Sequence, residues 1–220
     1  MKRKIHKLYP ESGVELRPFT ARNYDWLLDV ASLGLYRGFI RRAIQTMDIR
    51  PGDKILDLGC GTGRNACLMA KYLNAHGRII GLDISTFMEK RFRQKCADFQ
   101  NVEFRRVRID EPFSLSEQFD KIFISFVIHG FPHPVRQTVL KNVFNHLKRD
   151  GIFLILDYAE FEPAEMQSLY RYIFRHMECQ YAFDFIARDW KQILANYGFG
   201  DFEECFFAKN YVRLLVAKKR

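Results

Sequence analysis

A glycine-rich segment at residues 54–65 constrains the fold of this chain more than any other part of its sequence. It runs Lys-Ile-Leu-Asp-Leu-Gly-Cys-Gly-Thr-Gly-Arg-Asn, so an apolar run is followed by Gly59, Gly61 and Gly63. Glycine lets the backbone turn tightly and approach a ligand closely, and the free amides at the start of a following helix favour an anion. The segment therefore predicts a strand, a tight bend and a helix, with an anionic group of a ligand on the bend.

Short apolar runs alternate with helical patterns along the chain, which is typical of a mostly parallel sheet covered by helices. The predicted strands span 54–58, 78–83, 102–107, 120–127 and 151–158. The predicted helices between them span 65–73, 86–99 and 135–147. Two further strand-like runs, at 202–207 and 211–217, are joined by so short a connection that they must be antiparallel. We therefore predict an α/β fold with an antiparallel C-terminal strand.

Amphipathic helical stripes lie on both sides of this alternating region. Residues 26–47 carry apolar side chains at helical spacing around Gly34, and similar stripes follow Pro163 and end at Gly198. Such stripes usually pack against a core, and a substrate lid is the alternative. We expect one domain over residues 1–220, with helices at 20–50 before the sheet and a substrate lid at 160–200, called the lid segment below.

The chain carries 35 Lys and Arg against 26 Asp and Glu residues, a formal net charge of +9. Residues 1–10 and 218–220 supply seven of these charges. Either these tails are solvated, or they attract an anionic surface such as a membrane or a nucleic acid. No apolar stretch approaches spanning length, and Pro10 and Glu11 interrupt what would be a signal peptide, which predicts a cytoplasmic protein.

The cysteines give no sign of pairing or of metal binding. They are five in number, an odd count, and they include no Cys-x-x-Cys pair: Cys60, Cys67, Cys96, Cys179 and Cys205. This pattern predicts neither a disulfide framework nor a zinc site, so we expect small apolar side chains in the core.

Two aspartates narrow the choice of ligand. Asp83 ends the second predicted strand, where a carboxylate can accept hydrogen bonds from ribose hydroxyls. Asp57 lies two residues before Gly59, and its charge would repel a pyrophosphate but suit an ammonium group. A nicotinamide dinucleotide is therefore disfavoured against a ligand that carries both an ammonium group and a ribose.

The segments LDLGCGTG and RIIGLDIS are similar to the first two motifs of the class I S-adenosylmethionine-dependent methyltransferases. The resemblance extends to residues 119–127 and 147–155, which are similar to the fourth strand of that family and to the element that leads into its fifth. It also covers the C-terminal pair, since the last strand of that family lies between strands five and six. The resemblance implies a Rossmann-like fold with a seven-stranded, mostly parallel sheet, helices on both faces, and S-adenosylmethionine as the methyl donor without a metal.

The resemblance also implies a role for each matching residue in the donor site. Asp57 would hold the methionine ammonium group, Asp83 would take the ribose hydroxyls, and Ile84 would pack on the adenine ring. Ser125 and Phe126 would lie beneath the sulfonium. The remaining donor-site residues lie on the bend: Gly59, Cys60, Gly61 and Gly63.

One position departs from the family pattern. Arg108 and Ile109 stand where an acid and an apolar residue often follow the third strand, the acid accepting from the adenine amino group. Either a shift of one or two residues brings Asp110 to the adenine, or Ile109 serves through packing and its backbone amide alone. The sequence leaves both alternatives open.

His129 follows the fourth predicted strand and is the candidate catalytic base, since some methyl acceptors must lose a proton. A structural or solvent-facing histidine is the alternative. His133 is a weaker candidate, and Pro132 and Pro134 disfavour a metal site shared by the two histidines.

Residues 23–39 are similar to the entry region of quinone-biosynthesis C-methyltransferases and phospholipid N-methyltransferases, in which the tyrosine at the place of Tyr24 lies near the donor. That resemblance implies a small-molecule or lipid-like acceptor of the quinone or phospholipid type. An RNA methyltransferase and a catalytically silent S-adenosylmethionine-binding protein are the alternatives. The exit of the fourth strand lacks the signatures of exocyclic-amine and cytosine C5 methylation, so nucleic acid is the less favoured partner.

Overall fold

The computed structural model describes residue 12 and residues 35–220. Within them one sheet contains the strands β1 (Lys54–Leu58), β2 (Arg78–Asp83), β3 (Val102–Arg106), β4 (Phe119–Ser125), β5 (Leu147–Tyr158), β6 (Phe199–Phe207) and β7 (Val212–Lys219). The strand order is β3-β2-β1-β4-β5-β7-β6, and β7 alone runs antiparallel to its neighbours. This order confirms the predicted sheet, including the insertion of the last strand between the fifth and the sixth.

Helices cover both faces of this sheet. The described helices are α1 (Leu35–Gln45), α2 (Arg64–Met69), α3 (Thr86–Lys95), α4 (His133–His146), α5 (Ser168–Met177), α6 (Gln180–Ile186) and α7 (Trp190–Asn196). Helices α1 to α3 share one core cluster with Ile55 and Ile79, whereas α4 to α7 share the other with Leu56 and Ile80. Successive strand residues point to opposite faces, so a sheet covered on both sides needs the nearly continuous apolar runs of β1 and β2.

The predicted elements are confirmed, with shifts at their ends. Strand β5 begins at Leu147 rather than at 151, and α4 begins at His133 because Pro134 is tolerated in the first turn of a helix. Helix α6 was not predicted as a separate element. The helices expected at 20–50 are described only from Leu35 onwards. No helix in the described part of the chain is long and apolar enough to cross a bilayer.

The basic C-terminal end is part of the folded structure and not a free tail. Lys218 and Lys219 belong to β7, and the Lys219 ammonium group donates to the carbonyls of Phe144 and Leu147 at 2.6 and 2.8 Å. Lys218 pairs with Asp150 at 3.0 Å, and Arg220 pairs with Asp201 at 3.1 Å. These contacts tie the end of β7 to β5, β6 and α4, while the side chains of Lys218 and Arg220 remain 41% and 67% exposed.

The expectation that the cysteines stay unpaired is wrong for two of the five. Cys67 in α2 and Cys96, which directly follows α3, form a disulfide. The amide of Cys67 also donates to the Gly63 carbonyl at 2.9 Å, so the disulfide lies beside the glycine bend. The pairing depends on the packing of α2 against α3, and a local sequence pattern does not report that packing.

Reduction of this disulfide should lower the free energy of unfolding by about 3 kcal/mol, because the bond constrains a long loop in the unfolded chain. Denaturant titrations with and without a thiol reductant measure the difference. Cys67→Ser should match the reduced wild-type protein, whereas Cys205→Ser, a change at a free thiol, should alter little. Equal unfolding free energies for the oxidised and reduced protein would contradict the prediction.

Candidate active site

The carboxyl ends of four parallel strands place the predicted site residues at one edge of the sheet. Strand β1 lies between β2 and β4, and β4 pairs with β5. Asp57 lies in β1, and the bend directly follows this strand. Asp83 ends β2 and Ser125 ends β4, while Asp157 is the last residue but one of β5. Open α/β sheets bind ligands at this edge, at the point where the strand order reverses.

The bend between β1 and α2 has the backbone conformation that its glycines were predicted to supply. Gly59, Gly61 and Gly63 have φ angles of 69°, 53° and 81°, in the left-handed region. A Cβ atom on Gly59 would lie 2.6 Å from a methyl carbon of Val127, so a larger residue does not fit there. Cys60 is buried, and its amide donates to a carbonyl of β2 at 3.0 Å, which fixes the bend against that strand.

Asp57 is buried beside the bend with one oxygen unpaired. The residue is 1% exposed, and Oδ2 has no hydrogen-bond partner among the described residues. Burial raises the pKa of Asp57 to about 7, and the nearby Asp83 carboxylate adds to the rise. Buried polar atoms on Asn65, at the start of α2, and on Ser125 also lack partners in this part of the chain. Such atoms are costly unless a ligand satisfies them, so the edge suits a cationic and polar ligand.

Asp83 links the bend to the start of α3. Its Oδ2 accepts from the Gly61 amide at 3.0 Å, and its Oδ1 accepts from the Ser85 amide at 2.9 Å. Burial raises the pKa of Asp83, although these amides and that of Ile84 oppose the rise. Each carboxylate oxygen can accept a second hydrogen bond, and Ile84, which is 39% exposed, offers apolar surface nearby.

Ile109 and Asp110, the two candidates for the adenine contact, lie in the segment after β3, and both make contacts within the protein. The Asp110 carboxylate forms an ion pair with the Arg108 guanidinium. Ile109 is buried in the core, and its carbonyl accepts from the Asn142 amide group at 3.1 Å. Asn142 therefore fixes this segment to α4.

Phe126 has a strained backbone at the exit of β4. Its φ angle is 52°, which is unusual for a bulky residue, and its amide donates to the Leu156 carbonyl at 2.9 Å. Its ring contacts those of Phe39 and Tyr158, with centroids 6.2 and 6.1 Å apart. Strain of this kind is concentrated at functional sites.

His129 forms a pair with Asp157, a residue that sequence reasoning missed. His129 lies in a short 3-10 turn, Ile128–Gly130, and its Nδ1 is 2.7 Å from Oδ1 of Asp157. Asp157 is 1% exposed. Burial favours a neutral imidazole, but the carboxylates of Asp157 and Glu178 outweigh it and raise the pKa of His129. An imidazole oriented by a buried carboxylate is a common arrangement for proton transfer.

Glu178 lies on the other side of His129, at the junction between α5 and α6 in the lid segment. Its Oε2 is 3.5 Å from Nε2 of His129, and its Oε1 accepts from the Tyr158 hydroxyl at 2.6 Å. The Tyr158 ring packs on Phe174 of α5, with centroids 5.1 Å apart. The sequence offered no local signal for Glu178. The junction that carries it was not predicted, because α6 was not predicted as a separate helix.

Arg136 is fully buried and joins the His129 turn to the lid segment. Its guanidinium donates to the carbonyls of Ile128 and His129 at 3.1 and 2.9 Å. It also donates to the Tyr181 carbonyl at 2.5 Å and pairs with Asp184 at 2.7 Å, and both of these residues belong to α6. Arg136 therefore positions His129 and the lid segment together.

His133, the weaker candidate base, takes no part in this cluster. His133 starts α4, where the nearest polar partner of its Nε2 is Gln137 at 3.4 Å. The described residues contain no group of ligands suited to a metal ion. Tyr24 lies outside the described residues. Of the N-terminal region only Ser12 is described, and its hydroxyl donates to the Gly130 carbonyl at 2.6 Å, beside His129.

The sheet order and the helices on both faces are those expected for the class I methyltransferase fold, and comparisons with known structures agree. A SAM-dependent methyltransferase from Aquifex aeolicus superposes with a TM-score of 0.61 at 17% identity, covering 82% of this chain and 89% of that one. A TehB-like SAM-dependent methyltransferase from Corynebacterium glutamicum gives 0.60 at 20% identity, covering 93% and 100%. At these identities the likeness concerns the fold.

The chain belongs to the family described as "Methyltransferase domain", which matches residues 49–198. It is 29% identical over 154 residues to the ubiquinone/menaquinone biosynthesis C-methyltransferase UbiE of Methylococcus capsulatus, covering 68% of this chain and 61% of that protein. It is 28% identical over 160 residues to the demethylmenaquinone methyltransferase of Staphylococcus carnosus, covering 72% and 62%. The matching segments thus span about three fifths of the length of these relatives.

Arg136→Met should lower the free energy of unfolding by about 3 kcal/mol, because the carbonyls of Ile128, His129 and Tyr181 would all lose a charged donor. Denaturant titration measures the loss. Arg188→Met is the matched control, since Arg188 also pairs with Asp184 but is 33% exposed, and it should cost about 1 kcal/mol or less. A loss in Arg136→Met as small as that expected for the control would show that the contacts of Arg136 are dispensable.

Proposed function

We propose that this protein binds S-adenosylmethionine at the edge cluster and transfers its methyl group to a small-molecule acceptor. The observation that carries the proposal is the buried carboxylate of Asp57 beside the glycine bend, whose Oδ2 meets no hydrogen-bond partner in the part of the chain that the structure describes. A dinucleotide would bring a pyrophosphate to this carboxylate, whereas the amino-acid part of S-adenosylmethionine would bring an ammonium group. The residues present therefore fit this donor.

The donor-site roles follow from the same fit. Asp57 would pair with the ammonium group, the backbone of the bend would line the methionine part, and Asp83 would accept from the ribose hydroxyls. Ile84 offers surface to the adenine, and either Ile109 or the Arg108–Asp110 pair would border it. Ser125 and Phe126 would lie beneath the sulfonium. When bound, S-adenosylmethionine supplies an electrophilic methyl group, so the chain itself must align the acceptor and handle its proton.

We further propose a quinone-like acceptor that carries a hydroxyl group. The names of the quinone-biosynthesis relatives support this class. Aromatic rings near the site support it as well: Tyr158 and Phe185 contact His129, and Phe126 and Phe174 pack on Tyr158. The His129–Asp157 pair would contact the hydroxyl. Because a quinone with a lipid tail resides in a membrane, the basic residues at 1–10 would favour contact with an anionic bilayer.

The affinity for S-adenosylhomocysteine, the product of the transfer, should fall as the pH falls below about 7. Since the pKa of Asp57 in the free protein is raised to about 7, binding of an ammonium group must displace a proton at lower pH. Between pH 8 and pH 6 we expect the dissociation constant to rise about tenfold. Calorimetry measures it, and Asp57→Asn should bind weakly at both pH values. A pH-independent affinity in the wild-type protein would remove the ammonium role from Asp57.

Asp83→Asn should weaken binding of the same product by about 1.5–3 kcal/mol, the range expected when a charged acceptor of hydrogen bonds is lost. Asparagine keeps the size of the side chain and one oxygen for the backbone amides. The control is Asp98→Asn, a change at an exposed acid, which should leave the affinity unchanged. Binding of NAD in place of S-adenosylhomocysteine by the wild-type protein would refute the proposed function itself.

A further inference from the structure

Glu178 is placed where an acceptor must approach His129. Nδ1 of His129 is occupied by Asp157 at 2.7 Å, so Nε2 is the ring nitrogen left for an acceptor. Oε2 of Glu178 lies 3.5 Å from Nε2. Two atoms at this separation can both reach hydrogen-bond distance of one oxygen atom placed beside them. The side chains of His129 and Glu178 remain 14% and 22% exposed, so neither is sealed from solvent.

We propose that Glu178 is the catalytic proton acceptor of this site, and that His129 acts beside it as a cation that stabilises the ionised acceptor. This assignment rests on the proposed function, because it states which residue takes the proton of the acceptor hydroxyl during methyl transfer. It revises the expectation from sequence, in which His129 is the base.

The charges around His129 support this division of roles. Asp157 faces the ring from β5 and Glu178 faces it from the lid segment, while the guanidinium of Arg136 in α4 opposes them. Although burial works against the charged ring, the two carboxylates prevail, so the pKa of His129 is raised. Burial and Glu178 hold the pKa of the Tyr158 phenol well above its usual value, so Tyr158 stays a donor to Glu178. A protonated imidazole is a hydrogen-bond donor at both nitrogens and cannot act as a base.

The proton and the electrons balance without another reactant. The N–H group at Nε2 of His129 donates to the acceptor oxygen, and the proton of the acceptor hydroxyl passes to Oε2 of Glu178. The electron pair of the ionised oxygen, delocalised into the ring, forms the bond from the neighbouring ring carbon to the methyl carbon, and the electron pair of the broken carbon–sulfur bond stays on sulfur. The proton on that ring carbon is then released to water, its bonding pair restores the aromatic ring, and the oxygen recovers its proton from Glu178. Proton transfer to a positioned carboxylate contributes about 10²–10⁴-fold to such rates.

Proton NMR of the free protein tests the charge on His129 directly. The His129 signal is identified by its loss in His129→Gln. We expect His129 to titrate at a higher pH than the histidine of an unstructured reference peptide, and at a lower pH in Glu178→Gln than in the wild-type protein. A wild-type His129 that titrates at or below the pH of the reference peptide would overturn the proposal.

Methyl transfer to a short-chain demethylmenaquinol tests the proton acceptor. Glu178→Gln keeps an oxygen for the Tyr158 hydroxyl but accepts a proton poorly, so kcat should fall about 100-fold or more while donor affinity by calorimetry stays unchanged. Glu165→Gln, a change at an exposed acid of the lid segment, should keep wild-type turnover. Wild-type turnover in Glu178→Gln would overturn the assignment. Should this probe not be methylated, the NMR titration decides alone.

The two proposals fail in different ways. Absence of donor binding to the wild-type protein refutes the proposed function. Normal donor binding together with a neutral His129 at pH 7 refutes only the role of Glu178.

Discussion

The candidate site depends on a carboxylate that is buried near the end of a central strand and has no counter-charge among residue 12 and residues 35–220. Strand β1 is paired on both sides, so the folded chain holds Asp57 away from water. Its pKa is about 7 in the folded protein, against 3.8 for an ordinary aspartate. Because the folded-state pKa is raised, the stability that this group contributes is fully present below about pH 4 and is lost as the pH rises through 7. A bound ammonium group would restore it, which couples stability at neutral pH to the donor.

The proposed donor half of the site consists of the bend, Asp57 and Asp83, and its place at one edge of the sheet could be predicted because its signals are local. The bend, its helix start and Asp57 lie within residues 54–65, and Asp83 ends the next strand. Glycines with positive φ angles and continuous apolar strands leave a direct mark on the sequence. Because these signals are local, the predicted strand positions agree closely with the structure. The observed starts of β5 and α4 differ from the predicted starts by a few residues.

The proposed acceptor half of the site consists of His129, Asp157 and Glu178. Its contacts could not be predicted, because they join residues that are far apart in the chain. Asp157 and Glu178 meet His129 from 28 and 49 residues away, and each looks like an ordinary acid in its local context. The Cys67–Cys96 disulfide escaped prediction for the same reason, since its two helices are brought together only by packing on the sheet. Pairing of this kind follows from tertiary structure and not from a local pattern.

Arg136 holds the turn that carries His129 and the lid segment that carries Glu178 in fixed positions relative to each other. Its guanidinium binds the carbonyl of His129 on one side and Tyr181 and Asp184 of α6 on the other. Glu178 lies between α5 and α6, so any movement of this junction changes the distance between Glu178 and His129. The proposed donor half lies on the strands and the bend, whereas the proposed acceptor half also depends on the contacts between the lid segment and Arg136 of α4. A fold divided in this way would keep one donor site while changes in the lid segment altered the acceptor, and one fold can host different functions in this manner.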